Sequence, residues 1–316
     1  MLHIITDERN TLAGFILRPL HEEKEVNIIQ FSKTRRNFFQ KIIRYFESKF
    51  FLINGGLSLT EETKFALKKI SRDDSVLFFD IDYIRDIQVI CRAMPLTRKR
   101  SIFLWNPLQT HDGKISKVKR NLIILKKLFH RVSTFDPVDA KIYEMDLVAQ
   151  PFLEMDKYDS AREIDIYFIG SDKGRLSKLI SIKESAIAQG LNCNFHITPN
   201  KRIVYSEEDI KHLNNLNISY AENINIARRS KCLLEIVQEN QSGPTMRTME
   251  AAFLGCKLIT NRKSASQDVF YHPNNVLIIE EGGNYDFHGF MESEYISFEN
   301  EINEVHSIRN WWYQFI

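Results

Sequence analysis

Short apolar runs alternate with amphipathic stretches along most of the chain. NIIQF (27–31) and FFLIN (50–54) are runs of the length that makes buried strands, and 35–49 between them carries Phe38, Phe39, Ile42, Ile43 and Phe46 at helical spacing. Gly55-Gly56 closes the second run. Thr60 followed by Glu61 and Glu62 predicts a helix start, since a hydroxyl caps free N–H groups and acids suit the positive end of the helix dipole. SVLFFDID (75–82) and SIFLWNP (101–107) predict two more strands, and 114–130 a basic helix carrying Leu122, Ile123, Ile124, Leu128 and Phe129. RVSTFDPVDAKIY (131–143) predicts a strand, a turn and a short helix opening at Pro137. Residues 151–162, PFLEMDKYDSAR, are polar and mark a domain boundary.

A second alternation follows. IDIYFIGS (164–171) predicts a strand, 175–189 a helix ended by Gly190, and LNCNFHI (191–197) a strand. A helix is expected over 206–216, an edge strand at NISYA (217–221) and a helical turn over 222–229. KCLLEIV (231–237), KLITN (257–261) and NNVLII (274–279) predict strands around a helix at 245–255, with Gly255 as its C-terminal cap. The tail, 299–316, predicts one amphipathic helix with Ile302, Val305, Ile308, Trp311, Trp312 and Phe315 on its stripe. Packing on the first domain is its expected role; interfacial membrane anchoring by Trp312 and Tyr313 is the alternative. Alternation of this kind predicts an α/β chain of two Rossmann-like domains, each a parallel sheet with helices on both faces. The expected domains are 1–155 and 156–298, with 299–316 crossing back to pack on the first. Ligands of such folds bind outside the carboxyl ends of the strands.

Composition narrows the class. The chain has 316 residues, 43% hydrophobic and 27% charged, which is ordinary for a globular protein. Its four cysteines stand alone, so a disulfide framework or zinc finger is not expected and a reducing compartment is. No apolar run is long enough to span a bilayer, and MLHIITDERN lacks the pattern of a secretory signal. Net charge is +2, but it is unevenly spread: residues 1–155 hold 26 Lys+Arg against 19 Asp+Glu, and 156–316 hold 17 against 22. Basic residues gather at Lys33, Arg35, Arg36, Lys41 and Arg44, at Arg98-Lys99-Arg100, and from Lys114 to Lys127. Aromatics interleave the first cluster, which suits a solvated helix face or peripheral contact with anionic membrane. No nucleic-acid-binding motif is present, so no nucleic acid is expected as a partner.

The densest chemistry lies in 235–262, EIVQENQSGPTMRTMEAAFLGCKLITNR. Gly243-Pro244 breaks the chain after an apolar strand, and Pro244 suits the first turn of the helix that follows. Free N–H groups and the positive dipole end of that helix then face the loop Ser242, Gly243, Pro244 and Thr245, with Met246 beside it, an anion site fit for a diphosphate. Arg247 is placed to reach the same phosphate, and Glu250, one turn on and on the same face, to accept the two hydroxyls of a ribose. The turn Gly170-Ser171-Asp172-Lys173-Gly174-Arg175 is a second candidate: Gly170 permits close backbone approach, and Lys173 and Arg175 supply positive charge. Asp80 and Asp82 end a strand and share one face, a pattern that suits a divalent cation or a general base. His111 and Asp136 compete for the base role. The nine histidines show no metal spacing. The chain also lacks a nucleophile elbow, a P-loop and the G-x-G-x-x-G fingerprint.

SGPTMRTMEAAFLGCKLIT resembles the donor-nucleotide helix of GT-B-fold glycosyltransferases, which commonly carry a glutamate, then Ala-x-x-x-Gly, then a short strand: here Glu250, Ala251, Gly255 and 257–260. Many members carry a further glutamate eight positions earlier, where this chain has Ser242. YFIGSDKGR (167–175), FLWNP (103–107) and STFDPVDAKIY (133–143) extend the likeness toward glycosyltransferases of bacterial lipopolysaccharide and capsule assembly. The resemblance implies two Rossmann-like domains facing a cleft. It also implies a nucleotide-sugar donor held by the second domain at Gly170, Lys173, Arg175, the 242–247 turn and Glu250. The first domain would bind a lipid-linked or lipopolysaccharide saccharide, with Asp82, Asp80 or His111 as base. Electrostatic stabilisation of the leaving diphosphate implies no metal and no other cofactor, and the location implied is cytoplasmic or at the inner face of the cytoplasmic membrane. Two other expectations stand beside it: a non-catalytic scaffold of polysaccharide assembly with the same fold, and a metal-dependent GT-A transferase using Asp80 and Asp82.

Overall fold

The computed structural model describes residues 1–33, 42, 58–97, 99–108, 115–156, 158, 160–216, 218–237 and 242–316. Apart from residue 42, the expected helix over 35–49 lies outside them, as do the FFLIN strand, Gly55-Gly56, His111, and the basic residues Arg35, Arg36, Lys41, Arg44, Arg98 and Lys114. The chain divides into two compact units: residues 1–153 with 306–316, and residues 154–305.

The first unit runs β1 (Leu2–Asp7), α1 (Thr11–Leu17), β2 (Val26–Phe31), α2 (Glu61–Lys68), β3 (Ser75–Phe79), α3 (Ile84–Ala93), β4 (Lys99–Leu104), α4 (Ile115–Leu128), β5 (Arg131–Thr134), α5 (Pro137–Tyr143) and β6 (Asp146–Leu147). The strands pair in parallel in the order β2-β1-β3-β4-β5-β6. β3 is buried along its whole length and β4 along all but its first residue, as parallel strands covered on both faces must be. The core beneath holds Ile5, Phe31, Phe78, Ile90, Ile102 and Leu122 among others. Thr60 caps α2 as expected, its hydroxyl accepting from the Thr63 N–H.

Two elements of this unit go beyond the sequence pattern. β1 is a short, mostly apolar run at the chain start, too brief for its pattern to distinguish strand from other buried segments. α3 is rich in β-branched residues, yet it forms a helix that buries Asp86, Ile87, Val89, Ile90 and Cys91.

The second unit runs β7 (Ile164–Ser171), α6 (Leu176–Ala188), β8 (Cys193–Thr198), α7 (Glu207–Ile210), α8 (Tyr220–Arg228), β9 (Ser230–Glu235), α9 (Met246–Leu254), β10 (Lys257–Thr260), β11 (Val276–Ile278), α10 (Phe287–Glu292) and most of α11 (Glu299–His306). Its sheet is also parallel, in the order β11-β10-β9-β7-β8. The expected fold class, two parallel-sheet α/β domains, is what the chain forms.

Three local expectations are corrected. Residues 206–216 hold one short helical turn, capped by Ser206, rather than a long helix. The edge strand expected at NISYA is replaced by α8, because the Ser219 hydroxyl accepts from the Glu222 N–H and starts a helix there. The tail is not one helix. Ser307 is extended, pairs with Phe152 as an isolated parallel bridge, and caps α12 (Ile308–Trp311). After that break Trp311 packs edge-on to Phe103 at 4.9 Å, and Trp312 is only 1% exposed. Trp312 is thus inside the first unit rather than available as an interfacial anchor, and Tyr313 alone of that pair is exposed.

Gly255 ends α9 in the left-handed region at φ +61°, with its N–H on the carbonyl of Ala252. Arg162 closes the same helix end by donating to the carbonyls of Leu254 and Gly255. Gly255→Ala is expected to lower stability in urea by about 1–2 kcal/mol through backbone strain, since a new Cβ meets nothing closer than Arg162 at 3.9 Å.

Candidate functional site

Both sheets reverse their direction of progress once. In the first, β1 is followed by β2 on one side and β3 on the other; in the second, β7 is followed by β8 and β9 in the same way. The crevice outside the carboxyl ends of such a strand pair is where open α/β sheets bind ligands. Candidate residues flank each of these points.

In the first unit the loops after β1 and β3 frame a pocket of about 830 Å³ that includes Asp7, Arg9, Asn10, Lys33, Asp80, Asp82 and Asp86. Asp80 follows the last residue of β3 and sits in the left-handed region at φ +52°, a conformation that Asp tolerates better than most residues. Asn10 donates to one Asp80 oxygen at 2.6 Å, and Asn106 donates to the other at 3.1 Å. The same Asn106 amide donates to Asp82 at 3.1 Å, so one amide ties the two carboxylates together. Burial pushes the Asp80 carboxyl up, the Asp82 charge adds to that, and the Asn10 bond opposes it; the net value is about 6. Arg9 clamps Asp7 through Nε, and Lys33 pairs with Asp86, so both of these pocket carboxylates face a cation. Asp136, the other base considered, is buried as the N-cap of α5, accepting from the N–H groups of Val138 and Asp139. Among the described residues no three His, Cys, Asp or Glu side chains converge to hold a metal ion.

In the second unit the two expected segments stand at the ends of β7 and β9. Thr245 is the N-cap of α9, its hydroxyl accepting from the Arg247 N–H at 3.0 Å, so Pro244 precedes the cap rather than entering the first turn. The Ser242 carbonyl is held by Ser264 at 2.6 Å, and Gly243 and Met246 flank this turn on either side of Pro244 and Thr245. The β7 turn is braced differently from expectation. Arg175 donates to the carbonyls of Ser171, Asp172 and Ile236, which stitches the turn to the end of β9. Its guanidinium is therefore committed to backbone, and the charge left at the surface of the turn is Lys173, exposed and left-handed at φ +49°. Gly170 lies beneath; a Cβ there would meet the Phe168 ring at 3.3 Å.

Arg247 and Glu250 do share a face, but they close on each other as an ion pair. Asn223 donates to Glu250 at 3.0 Å, and the Arg247 guanidinium lies 5.5 Å from the Tyr167 ring centroid. Glu250 is only 1% exposed. In this conformation the pair is an internal cluster linking α8, α9 and β7.

Several contributors do not stand out in the sequence. Asn10 follows a strand that the pattern does not mark, and Asn106 lies within FLWNP with nothing to distinguish it. Glu235 is a third: it ends β9 and is 3% exposed, taking hydroxyl donors from Thr245, Thr248 and Thr260 and pairing with Arg262. The signal for it is a carboxylate inside the apolar run KCLLEIV, just before the polar residues Gln238, Glu239 and Asn240.

No protein-family model and no curated protein matches the chain. Solved structures are similar at low identity. TarM is similar at 10% identity with a TM-score of 0.47, over 72% of this chain and 49% of its own. A UDP-forming α,α-trehalose-phosphate synthase from Burkholderia xenovorans is similar at 11% identity and a TM-score of 0.48, over 96% of this chain and 90% of its own. A putative UDP-N-acetylglucosamine 2-epimerase from Listeria monocytogenes is similar at 6% identity and a TM-score of 0.48, over 92% and 86%. The chain spans about half the length of TarM. At these identities and scores the likeness assigns no activity.

Proposed function

We propose that the chain is a glycosyltransferase. It moves a sugar from a nucleotide-sugar donor to a saccharide acceptor of bacterial lipopolysaccharide, O-antigen or capsule, without a bound metal or other cofactor. The observation that carries this reading is Asp80. A carboxyl with a value near 6, held by two amides at the rim of a large polar pocket, is suited to take a proton from an acceptor hydroxyl near neutral pH. The acceptor oxygen then bonds the anomeric carbon as the bond from that carbon to the nucleoside diphosphate breaks. A nucleoside diphosphate needs positive charge, and in the second unit Lys173 and the dipole at the start of α9 offer it, although the Thr245 and Arg247 N–H groups are already bonded to the Thr248 and Thr245 hydroxyls. Ser242, where many resembling enzymes have a glutamate, fits base-assisted displacement better than a mechanism that uses that glutamate. Asp82 tunes Asp80 in this scheme.

A second reading, a non-catalytic scaffold, is favoured by one observation: Glu250 and Arg247 are turned inward on each other. The metal-dependent alternative rests on Asp80 and Asp82 alone. Among the described residues no helix is long and apolar enough to cross a membrane. The exposed Lys117, Lys119, Arg120, Lys126 and Lys127 of α4 support a cytoplasmic protein working at the inner face of the cytoplasmic membrane.

A thermal-shift panel of UDP, GDP, CMP, ADP and dTDP, each in EDTA and with Mg²⁺ or Mn²⁺, separates the readings. One nucleotide at about 100 times its dissociation constant should add roughly 2.7 kcal/mol of stability in EDTA. In Lys173→Ala, which removes the exposed charge of the β7 turn, that ligand-induced increment should shrink. Silence across the panel would favour the scaffold, and a shift only with Mn²⁺ that disappears in Asp80→Ala would favour the metal-dependent transferase.

A further inference from the structure

A second pocket of the first unit, about 280 Å³, lies between α3 and α4. Ile84 and Ile87 line it from α3, Val118, Leu122 and Leu125 from α4, and Leu104 from the end of β4. It shares Ile81 and Asp82 with the polar pocket around Asp80, and Asn106, which ties Asp80 to Asp82, also lines it. An apolar pocket therefore adjoins the carboxylate pair. Among the described lining residues, polar side chains stand at the Asp82–Asn106 end and at Lys117 and Asn121, and the rest are apolar, so a hydrocarbon displaces water from that part at little cost. Lys117, Lys119 and Arg120 on the first exposed turns of α4 give the neighbouring surface the charge that attracts a phosphate.

We propose that this pocket seats the hydrocarbon chain of an amphiphilic acceptor, with the acceptor's sugar in the polar pocket beside Asp80. The inference rests on the glycosyltransferase reading for the sugar's fate, but not for the chain's binding. It narrows the acceptor class from any lipid-linked or lipopolysaccharide saccharide to glycolipids whose chain begins close to the reacting sugar. The apolar lining selects the chain, and Asp82, at the junction, marks the passage from chain to sugar.

The test uses the full chain and a series of n-alkyl β-glucosides, methyl, butyl, hexyl and octyl, titrated below their micelle concentrations by calorimetry. Each buried methylene should tighten binding about fourfold, so octyl should bind on the order of 100-fold more tightly than butyl. Val118→Trp, which fills the pocket, should flatten that dependence. Asn121→Trp blocks the rim from a half-exposed position and serves as a second variant should Val118→Trp fold poorly. Equal affinity for all chain lengths, or a chain-length dependence that survives both substitutions in folded protein, overturns the proposal. The nucleotide panel reports separately on the second unit. A nucleotide shift with no chain-length dependence would sink the chain site and leave the transferase reading standing. Chain-length dependence with no nucleotide shift would do the reverse.

Discussion

Asp80→Asn is expected to lower the turnover of sugar transfer by about 10²- to 10⁴-fold, the range a positioned general base supplies. The fold should survive. Asn accepts the left-handed backbone that Asp80 occupies, and its side chain keeps the same volume. One hydrogen bond is lost, because an amide cannot accept from Asn10 and Asn106 with both of its ends. Against that loss, the native carboxylate is held in a site that disfavours its charge. Its folded value is raised above the unfolded one, so the native state binds the proton more tightly. Stability from this group is therefore largest below the unfolded value near 3.8, falls as pH rises toward about 6, and is lost above it. At pH 8 the ionised Asp80 is a cost that the amide variant does not carry, and the melting temperature of Asp80→Asn should be no lower than that of the native chain. The rate should follow the ionised fraction: kcat/KM falls about tenfold per unit below pH 6 and levels off above it. Asp82→Asn should move that limb to lower pH, because the Asp82 charge is one of the causes of the shift. A flat profile between pH 5 and 8, or full activity in Asp80→Asn, would remove Asp80 from the chemistry.

How much of this is legible in the sequence depends on distance along the chain. Runs such as SVLFFDID and IDIYFIGS are apolar enough to be strands on pattern alone, and Asp80 and Asp82 stand out because two acids end one of them. The alternation of such runs with helices is enough for the two parallel α/β domains. What makes Asp80 a base is not legible. Its amide partners are 70 residues before it and 26 after it, and only the sheet order brings β1 and β4 to either side of β3. At α9 the reverse holds. Helical spacing places Arg247 and Glu250 on one face correctly, yet spacing says nothing of what covers that face. Asn223 from α8 and Tyr167 from β7 cover it, and the pair turns inward. Arg175 shows the same limit: a cation in a glycine-bearing turn reads as a phosphate ligand until the carbonyls of Ser171 and Ile236 take its donors.

Glu235→Ala is expected to destabilise the second unit by about 3–5 kcal/mol, the usual effect of removing one partner from a buried ion pair. Glu235 and Arg262 are 3% and 2% exposed. Three hydroxyls, those of Thr245, Thr248 and Thr260, spend their protons on the Glu235 carboxylate. In the alanine variant all three lose an acceptor, and Arg262 keeps Asp268 as its charged partner among the described residues. Glu235→Gln should cost less but remain destabilising, since an amide offers one acceptor oxygen in place of two and no charge. The pH dependence identifies the cause. Burial alone would push the Glu235 carboxyl up, but Arg262 and the three hydroxyls outweigh it, and the net value lies below the ordinary 4.5. A depressed folded value means stability that is fully present above the unfolded value and is lost as pH falls through the folded one. The stability gap between native protein and Glu235→Gln should therefore be constant above about pH 5 and shrink below about 4. Urea titrations at about pH 3.5, 5 and 7 measure it. A gap that stays constant down to the lowest pH would mean that Glu235 acts through shape alone. Thr245 links the result to the proposed donor site: it caps α9 while donating to Glu235, so loosening this carboxylate should also weaken nucleotide binding at the start of the helix.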